Sequence, residues 1–578
     1  MKSKLYYIIV ATSLILFSCT DFLTPPERAG YFERDYILEQ PDYAYGILLN
    51  AYSALPNDLY TYDIATDNAT TNSLSDAIYK MGTGSWTSSN YPMGSWSTCY
   101  KQLKYIHLFQ SVYKDVKWEW RFTERNPLFI KRMTGEIFGL RAFYHLWLLQ
   151  TYAGIGTNGE LLGIPLVLKE LTENDDLRLA RNTFDECVAQ IVNDCDSAAK
   201  YLPLKYVDVP TDPTRTAVFG EKFDGLLDKR FVMMLKSRAT LLAASPAFSI
   251  DKNQALLGEK AAVAAADLIK ELGGEAGFST TLVDFYAPAN FADKEILFRY
   301  RVVTNNTVET NNYPPSLFGK GFINPSQNLV DAMPNKKGYP AANDAERVDY
   351  VNKDLRFQKF IVYDLSKVRT ATIQTSTDAT TNDGLGKAVT STRTGYYMRK
   401  YLNEVVNLSP SVTGEHFITL SRATEVFLNY AEAVNQVWGP NDDHLIPGLS
   451  PKKVLQLIRK KAGIDSNPTT ATIYDDAYLD LQASAGKEAF HTLLKNERRI
   501  ELCFENNFRF WDLRRWKDNI TEPLYGVSIS TVGGKKQYSF IKVDDRPYET
   551  YMYYPPIPYG ETAKYQIIPN KGWQAYQW

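Results

Sequence analysis

The chain is short of the residues from which most metal and redox centres are built. Its 578 residues include five His and five Cys. His107, His145, His416, His444 and His491 lie far apart, and no two have metal-ligand spacing. Cys187 and Cys195 sit eight residues apart on one apparent helix, a rise of about 12 Å. That exceeds the ~7 Å over which Cα atoms can be bridged, so Cys99, Cys187, Cys195 and Cys503 are expected to be buried thiols. Net charge is also scarce, at −2 with a pI near 6.3. The whole chain therefore has no electrostatic footprint for nucleic acid or an anionic surface. After residue 17 no apolar run approaches the ~18 residues of a membrane-spanning helix. G-x-x-x-x-G-K-[ST], G-x-S-x-G and H-E-x-x-H are all missing. GIGTNG at 154–159 has the glycine spacing of a dinucleotide fingerprint, but it follows a helix and leads into the extended ELLGIPLVL. That reverses the order the motif needs, so it is expected to be a helix stop and turn. Carboxylates are plentiful, yet none is nominated as half of a glycosidase pair, which is defined by separation in space.

What the chain has in excess is aromatic residues: 39 Tyr, 28 Phe and 10 Trp. Tyr and Trp combine a flat apolar face with a polar edge, which suits sugar-binding surfaces as well as helical cores. Amphipathic helical periodicity covers 41–55, 99–113, 126–154, 183–203, 228–248, 253–274, 422–439, 450–463 and 487–505. Thr183 and Glu186 form a capping box. The pattern is one of helix pairs, as in an α-solenoid, without a strict fixed-period repeat. Between the pairs lie 57–97 and 279–325, rich in Tyr, Trp, Asn, Ser, Thr and Gly, and the Thr-rich 369–395, a loop or hairpin. Long loops in a compact domain are commonly functional.

The N-terminus carries compartment information. Lys2 and Lys4 precede a thirteen-residue apolar stretch, Leu5 to Phe17, too short to span a bilayer. Leu16-Phe17-Ser18-Cys19 resembles the lipobox of bacterial lipoproteins, with Phe17 bulkier than usual. The alternative is a plain signal peptide that happens to end before a Cys. The expected layout is a signal peptide at 1–18, a lipid-anchored tether at 19–34, and one domain at 35–578, divided into a helical part (about 35–275) and a C-terminal part (about 276–578).

The densest segment is NERRIELCFENNFRFWDLRRW (496–516), with nine charged residues and five Phe or Trp among twenty-one. Helical spacing predicts pairs of Arg498 with Glu501, Glu505 with Arg509, and Arg509 with Asp512. Ile500, Cys503 and Phe504 form an apolar stripe, and Asn506-Asn507 marks a break before a second short helix. Partnered charges beside a core indicate a structural joint and not a catalytic site.

This segment resembles the C-terminal signature of the SusD/RagB family of Bacteroidetes outer-membrane lipoproteins. LRAFYHLWLLQTYAGIG, GIPLVL, KSRATLLAASPAF, NPSQNLVDAM, TGYYMRKY, FLNYAEAVNQ and YYPPIPYGETAKY…NKGW are each similar to family blocks, in the family's order. The spacing between Gly156 and Gly163 is wider than usual in the family. The resemblance implies a mainly α fold: a tetratricopeptide-like scaffold of four helix pairs, with long irregular loops forming the ligand face. It further implies a cell-surface binding protein without cofactor or catalytic residues, which captures a glycan and passes it to a TonB-dependent SusC-like barrel. RagB-like peptide binding is the alternative, and a surface hydrolase a more distant one.

On this reading the ligand site lies on 57–97, with help from 279–325. Trp86 and Tyr91, in GTGSWTSSNYPMGSW, are the expected stacking platforms. Asp67, Asn68 and Asn72 are expected to bond hydroxyls, although Asp67 equally suits a brace. Tyr286, Tyr313 and Phe318 are partners from the second loop, while Trp96 is a core anchor for the helix it precedes. Cys19 is the lipidation site. Stable anchoring takes more than one acyl chain, such as palmitate. A Cys19→Ala variant is expected to leave the membrane fraction; a folded variant that stays there through a high-salt wash refutes the anchor.

Overall fold

A computed structural model describes residues 34–56, 61–283, 290–299, 302–467 and 474–573. The signal segment and Cys19 lie outside the described residues. A short helix α1 (Arg34–Glu39) leads into four consecutive helix pairs. These are α2 (Pro41–Ser53) with α3 (Trp96–Val112), α4 (Asn126–Tyr152) with α5 (Phe184–Tyr201), α6 (Lys229–Ala244) with α7 (Gln254–Glu271), and α8 (Ala423–Val437) with α9 (Pro451–Lys461). Within each pair the two helices pack together, and each pair packs on the next through α3 on α4, α5 on α6, and α7 on α8. This is the solenoid expected from the periodicity. No helix among the described residues is long and apolar enough to cross a membrane.

Local chemistry explains the boundaries. The Thr183 hydroxyl accepts from Glu186 N and the Glu186 carboxylate from Thr183 N, closing the capping box at α5. Asp228, Asn253 and Ser450 cap α6, α7 and α9 with side-chain oxygens. Gly139 lets α4 meet α6 closely, since a Cβ there would stand 2.9 Å from Val232 Cγ1. GIGTNG forms a tight hairpin turn after α4, pairing Gly154 with Leu162. Cys99, Cys187, Cys195 and Cys503 are all buried free thiols.

The stretches between and after the pairs build a second layer against the solenoid. Loop 57–97 contributes β1 (Ala69–Thr71), which pairs antiparallel with β2 (Ile323–Pro325) from the second loop. Helices α10 (Lys487–Glu501) and α11 (Phe508–Trp516) follow. The chain then forms the hairpin β3 (Leu524–Val532) and β4 (Lys535–Asp544), turning at Gly533 and Gly534 with φ of 58° and 76°, as a primed turn requires. A small pairing of Lys367–Val368 with Ala371–Thr372 opens the Thr-rich stretch, where Thr375, Thr392 and Thr394 are buried.

The 496–516 segment is the joint between the layers, but its charges take partners other than the three expected pairs, and the i,i+3 pair that forms is Asp512 with Arg515. Arg498 meets Asp512 at 2.8 Å and not Glu501. Glu501 instead meets Lys461, Arg422 and Arg356. Glu505 takes Lys400 and Arg422, and Arg509 takes Asp67. For Glu505 and Arg509 the cause is the backbone at the break: Phe504, Asn506 and Asn507 have φ of 62°, 46° and 58°. This left-handed turn swings α11 away from the axis of α10 and ends the i,i+4 geometry.

Asp512 bridges Arg498 and Arg515, and Arg515 continues to Glu432 of α8. Asp512→Ala leaves the buried Arg498 without a carboxylate while Arg515 keeps Glu432, and the expected loss is about 3–5 kcal/mol. Denaturant unfolding measures it; a loss below about 1 kcal/mol refutes a structural role.

Candidate functional site: a three-loop face and a neighbouring cleft

The structure brings the two predicted loops together. Ser326 Oγ donates to Asp67 O, and Ser326 N to Asn68 O. The polar residues expected to face a ligand serve instead as the frame. Asp67 is clamped bidentately by Arg509, with both contacts at 2.8 Å, and by Arg499 at 3.0 Å. Burial works to raise its pKa, but the two guanidinium groups overcome this and hold the carboxyl below the ordinary range. Asn68 is fully buried; its amide donates to Asp63 Oδ2 and its oxygen accepts from Arg499 Nε. Neither Asp67 nor Asn68 is turned toward a ligand. Asp63 also accepts from Phe504 N, so one carboxylate ties the first loop to the joint. Burial pushes Asp63 up to about 6, against the Asn68 and Phe504 hydrogen bonds.

Of the two expected stacking platforms, Trp86 is a core residue and Tyr91 is half-buried against it. Trp86 is 2% exposed and lies edge-on to Trp573 at 4.8 Å and to Tyr548 at 6.2 Å. Its Nε1 donates to Met552 Sδ. It also walls the buried Arg514 guanidinium, which is 5.9 Å from Trp86, 5.1 Å from Tyr548 and 3.5 Å from Phe510. Tyr91 packs between Trp86 and Tyr152, with its hydroxyl buried. Tyr313 is fully buried, its hydroxyl donating to Asn403 O and Val406 O. Trp86 and Tyr313 offer no face to a ligand, and Tyr91 is half-buried, packed against other rings. Trp96 anchors α3 edge-on to Tyr152, as expected. Tyr286 lies outside the described residues.

Phe318 is different. It is 68% exposed and sits at φ 65°, a left-handed position that a bulky residue seldom adopts. Its loop is fixed from behind: Phe318 N donates to Pro315 O, Gly319 N to Pro314 O, and Ser316 N to Asp383 Oδ1. Asn72 is the knot of this face. Its amide Nδ2 lies 2.8 Å from Lys320 O, 3.0 Å from Gly321 O and 3.4 Å from Ser391 O, joining three loops. Two residues from each joined strand of the knot stands an exposed apolar side chain: Leu74, Phe318 and Val389. Leu74 and Val389 were missed, because neither residue type is a ligand signal in sequence.

A second concavity was also missed. Tyr62, Phe143, Trp147 and Trp511 line a cleft of about 240 Å³ with Gln150, Arg238, Asn506 and Asn507. Tyr62, Trp147 and Trp511 are half-buried. Arg238 is paired with Glu425 by two bonds of 2.6 Å, so its charge is compensated. Trp147 and Trp511 sit in stretches whose periodicity points to core packing, which hid them.

The SusD family model matches residues 294–573, and a SusD-like model described as starch-binding and associating with the outer membrane matches residues 34–221. Among solved structures, a SusD-like protein from Bacteroides fragilis is similar at 21% identity and TM-score 0.71, covering 93% of this chain and 98% of that one. A SusD-like carbohydrate-binding protein, also from Bacteroides fragilis, is 18% identical with TM-score 0.68, covering 91% and 98%. Surface glycan-binding protein A from Bacteroides fluxus is 17% identical with TM-score 0.59, covering 92% and 100%. No curated protein matches the sequence.

The raised Asp63 pKa makes a pH prediction. Between the unfolded value near 3.8 and about 6, the folded state holds the proton more tightly. This group's contribution is therefore most favourable below pH 4 and is lost as pH rises to 6, on the order of 3 kcal/mol. Asp63→Asn is expected to remove that share of the slope. An unchanged difference in unfolding free energy between pH 4 and 6 refutes it.

Proposed function

Because the chain belongs to the SusD family, we propose that it is a glycan-binding lipoprotein of the cell surface. It is anchored by lipid on Cys19, takes oligosaccharide onto the three-loop face, and hands it to a SusC-like TonB-dependent barrel in the outer membrane. The observation that carries the reading is the Asn72 knot, which joins the three loops that carry the exposed Phe318, Leu74 and Val389. A pyranose ring has an apolar face that stacks on such a ring, and its hydroxyls are met by loop backbone groups around the knot. Carbohydrate binding by similar structures supports the ligand class, and the outer-membrane description of the N-terminal family model supports the location. The protein binds and does not turn over.

The cleft gives a second reading of the seat. Three half-buried rings, two of them Trp, and several side-chain amides around a compensated cation suit a neutral polyol ring. Calorimetry with a panel of neutral oligosaccharides, including starch fragments, separates the two. Phe318→Ala is expected to weaken binding roughly tenfold, about 1.5 kcal/mol, while Trp511→Ala leaves it unchanged. The opposite pattern places the ligand in the cleft. Binding of peptides and not sugars turns the reading to RagB-like import, and product in excess of protein makes the protein a hydrolase.

A further inference from the structure

Trp120 is the most exposed tryptophan among the described residues, at 60%, and Phe122 follows it at 46%. Both belong to the turn between α3 and α4, KWEWRFTER (117–125). The turn is built, not slack. Trp118 is buried, donates from Nε1 to Tyr113 O at 2.9 Å, and packs edge-on to Phe109 and Tyr45. Asn126 clamps Glu119 from both sides, accepting from its N at 2.9 Å and donating to its O at 3.0 Å. Glu119 Oε1 then accepts from Arg121 N. With Trp118 turned inward and Glu119 held, Trp120 and Phe122 project. Each carries a cation on its face: Lys117 Nζ lies 5.1 Å from the Trp120 centroid, and Arg125 Cζ 4.0 Å from that of Phe122.

The position of the turn gives it a meaning. Trp118 packs 6.5 Å from Tyr45, early in α2, so the turn stands at the end of the solenoid where the chain arrives. α1 packs on both α2 and α3 there. Tyr36 of α1 and Tyr43 of α2 are exposed at this end, with rings 5.8 Å apart. From Cys19 to Arg34 there are fifteen residues.

We propose that the 117–125 turn is a foot that seats in the interface of a membrane bearing anionic headgroups. Trp and Tyr favour the headgroup level, where the ring is apolar and its edge is wet. Lys and Arg beside them reach lipid phosphates while their stems stay on the rings. Residues 114–125 hold four cations, Lys114, Lys117, Arg121 and Arg125, against three carboxylates, Asp115, Glu119 and Glu124. One of the three, Glu119, is paired with Arg125 at 3.6 Å. This local balance is positive while the whole chain is negative. The foot adds a second contact to the lipid on Cys19 and so fixes the protein's attitude on the surface; in that respect it rests on the anchored reading above.

The test uses the full lipidated protein with vesicles of phosphatidylethanolamine and phosphatidylglycerol that carry brominated chains. Flotation reports the anchor, and tryptophan quenching reports the foot. The expected result is quenching that falls at least twofold in Trp120→Phe and in Lys117→Glu/Arg121→Glu, with flotation unchanged. Quenching that persists in full in Trp120→Phe, or is absent in the floated wild type, overturns the foot while the anchor stands. Loss of flotation with quenching at Trp120 retained overturns the anchor and supports the foot. Loss of both overturns both.

Discussion

A column of three glutamates holds the molecule together. Glu497, Glu501 and Glu505 follow one another at four-residue spacing down α10 and past its end, all essentially buried. Their cations come from across the chain. Arg356 meets Glu497 and Glu501, Arg459 meets Glu497, Lys461 meets Glu501, Arg422 meets Glu501 and Glu505, and Lys400 meets Glu505 at 2.6 Å. Burial works to raise the Glu501 pKa, but Lys461, Arg422, Arg356 and Lys400 together hold it below the ordinary range. No member of such a set can be buried before its partners arrive. The last solenoid pair, the segment around residue 356 and the joint must therefore assemble as one. Buried ion sets are weak sources of net stability, so we assign this one chiefly to fixing which surfaces meet.

The same logic reaches the proposed ligand face by one more step. Arg499 and Arg509 flank the column and close on Asp67, whose backbone oxygen receives Ser326 at the end of β2. The face that carries Phe318 is thus registered, through two arginines, to the helix that organises the core. The charged joint and the exposed loops are not separate features: the former sets where the latter can be.

The scaffold was legible because helix periodicity depends on neighbours three and four residues away, and the sequence displays those directly. The capping box at Thr183 and the turn after α4 were legible for the same reason. Charge partners were not, because the true partners lie in other elements, and between Glu505 and Arg509 the left-handed residues at 504, 506 and 507 redirect the chain. Trp86 looked exposed because its neighbours are Gly, Ser and Asn. Its burial is decided by Tyr548, Met552 and Trp573, more than 450 residues later. Asn72 was expected to meet ligand and instead binds three carbonyls, yet it lies at the centre of the face it was expected to serve. The β3–β4 hairpin, announced by Gly533-Gly534 between alternating residues such as Val527 and Ile529, carries a signal that helical periodicity does not register.

The four buried thiols have a bearing on how long such a molecule lasts under oxidising conditions. Burial pushes Cys187 and Cys503 up to about 12 and raises Cys99 and Cys195 as well. Oxidants and disulfide exchange act on the thiolate, and a group with that acidity is ionised in only about one copy in 10⁵ at neutral pH. The thiols stay chemically silent while the protein is folded and become reactive when it opens. Oxidation of these cysteines is then a record of unfolding: the described residues hold no disulfide and carry instead four reporters of whether the fold has ever come apart.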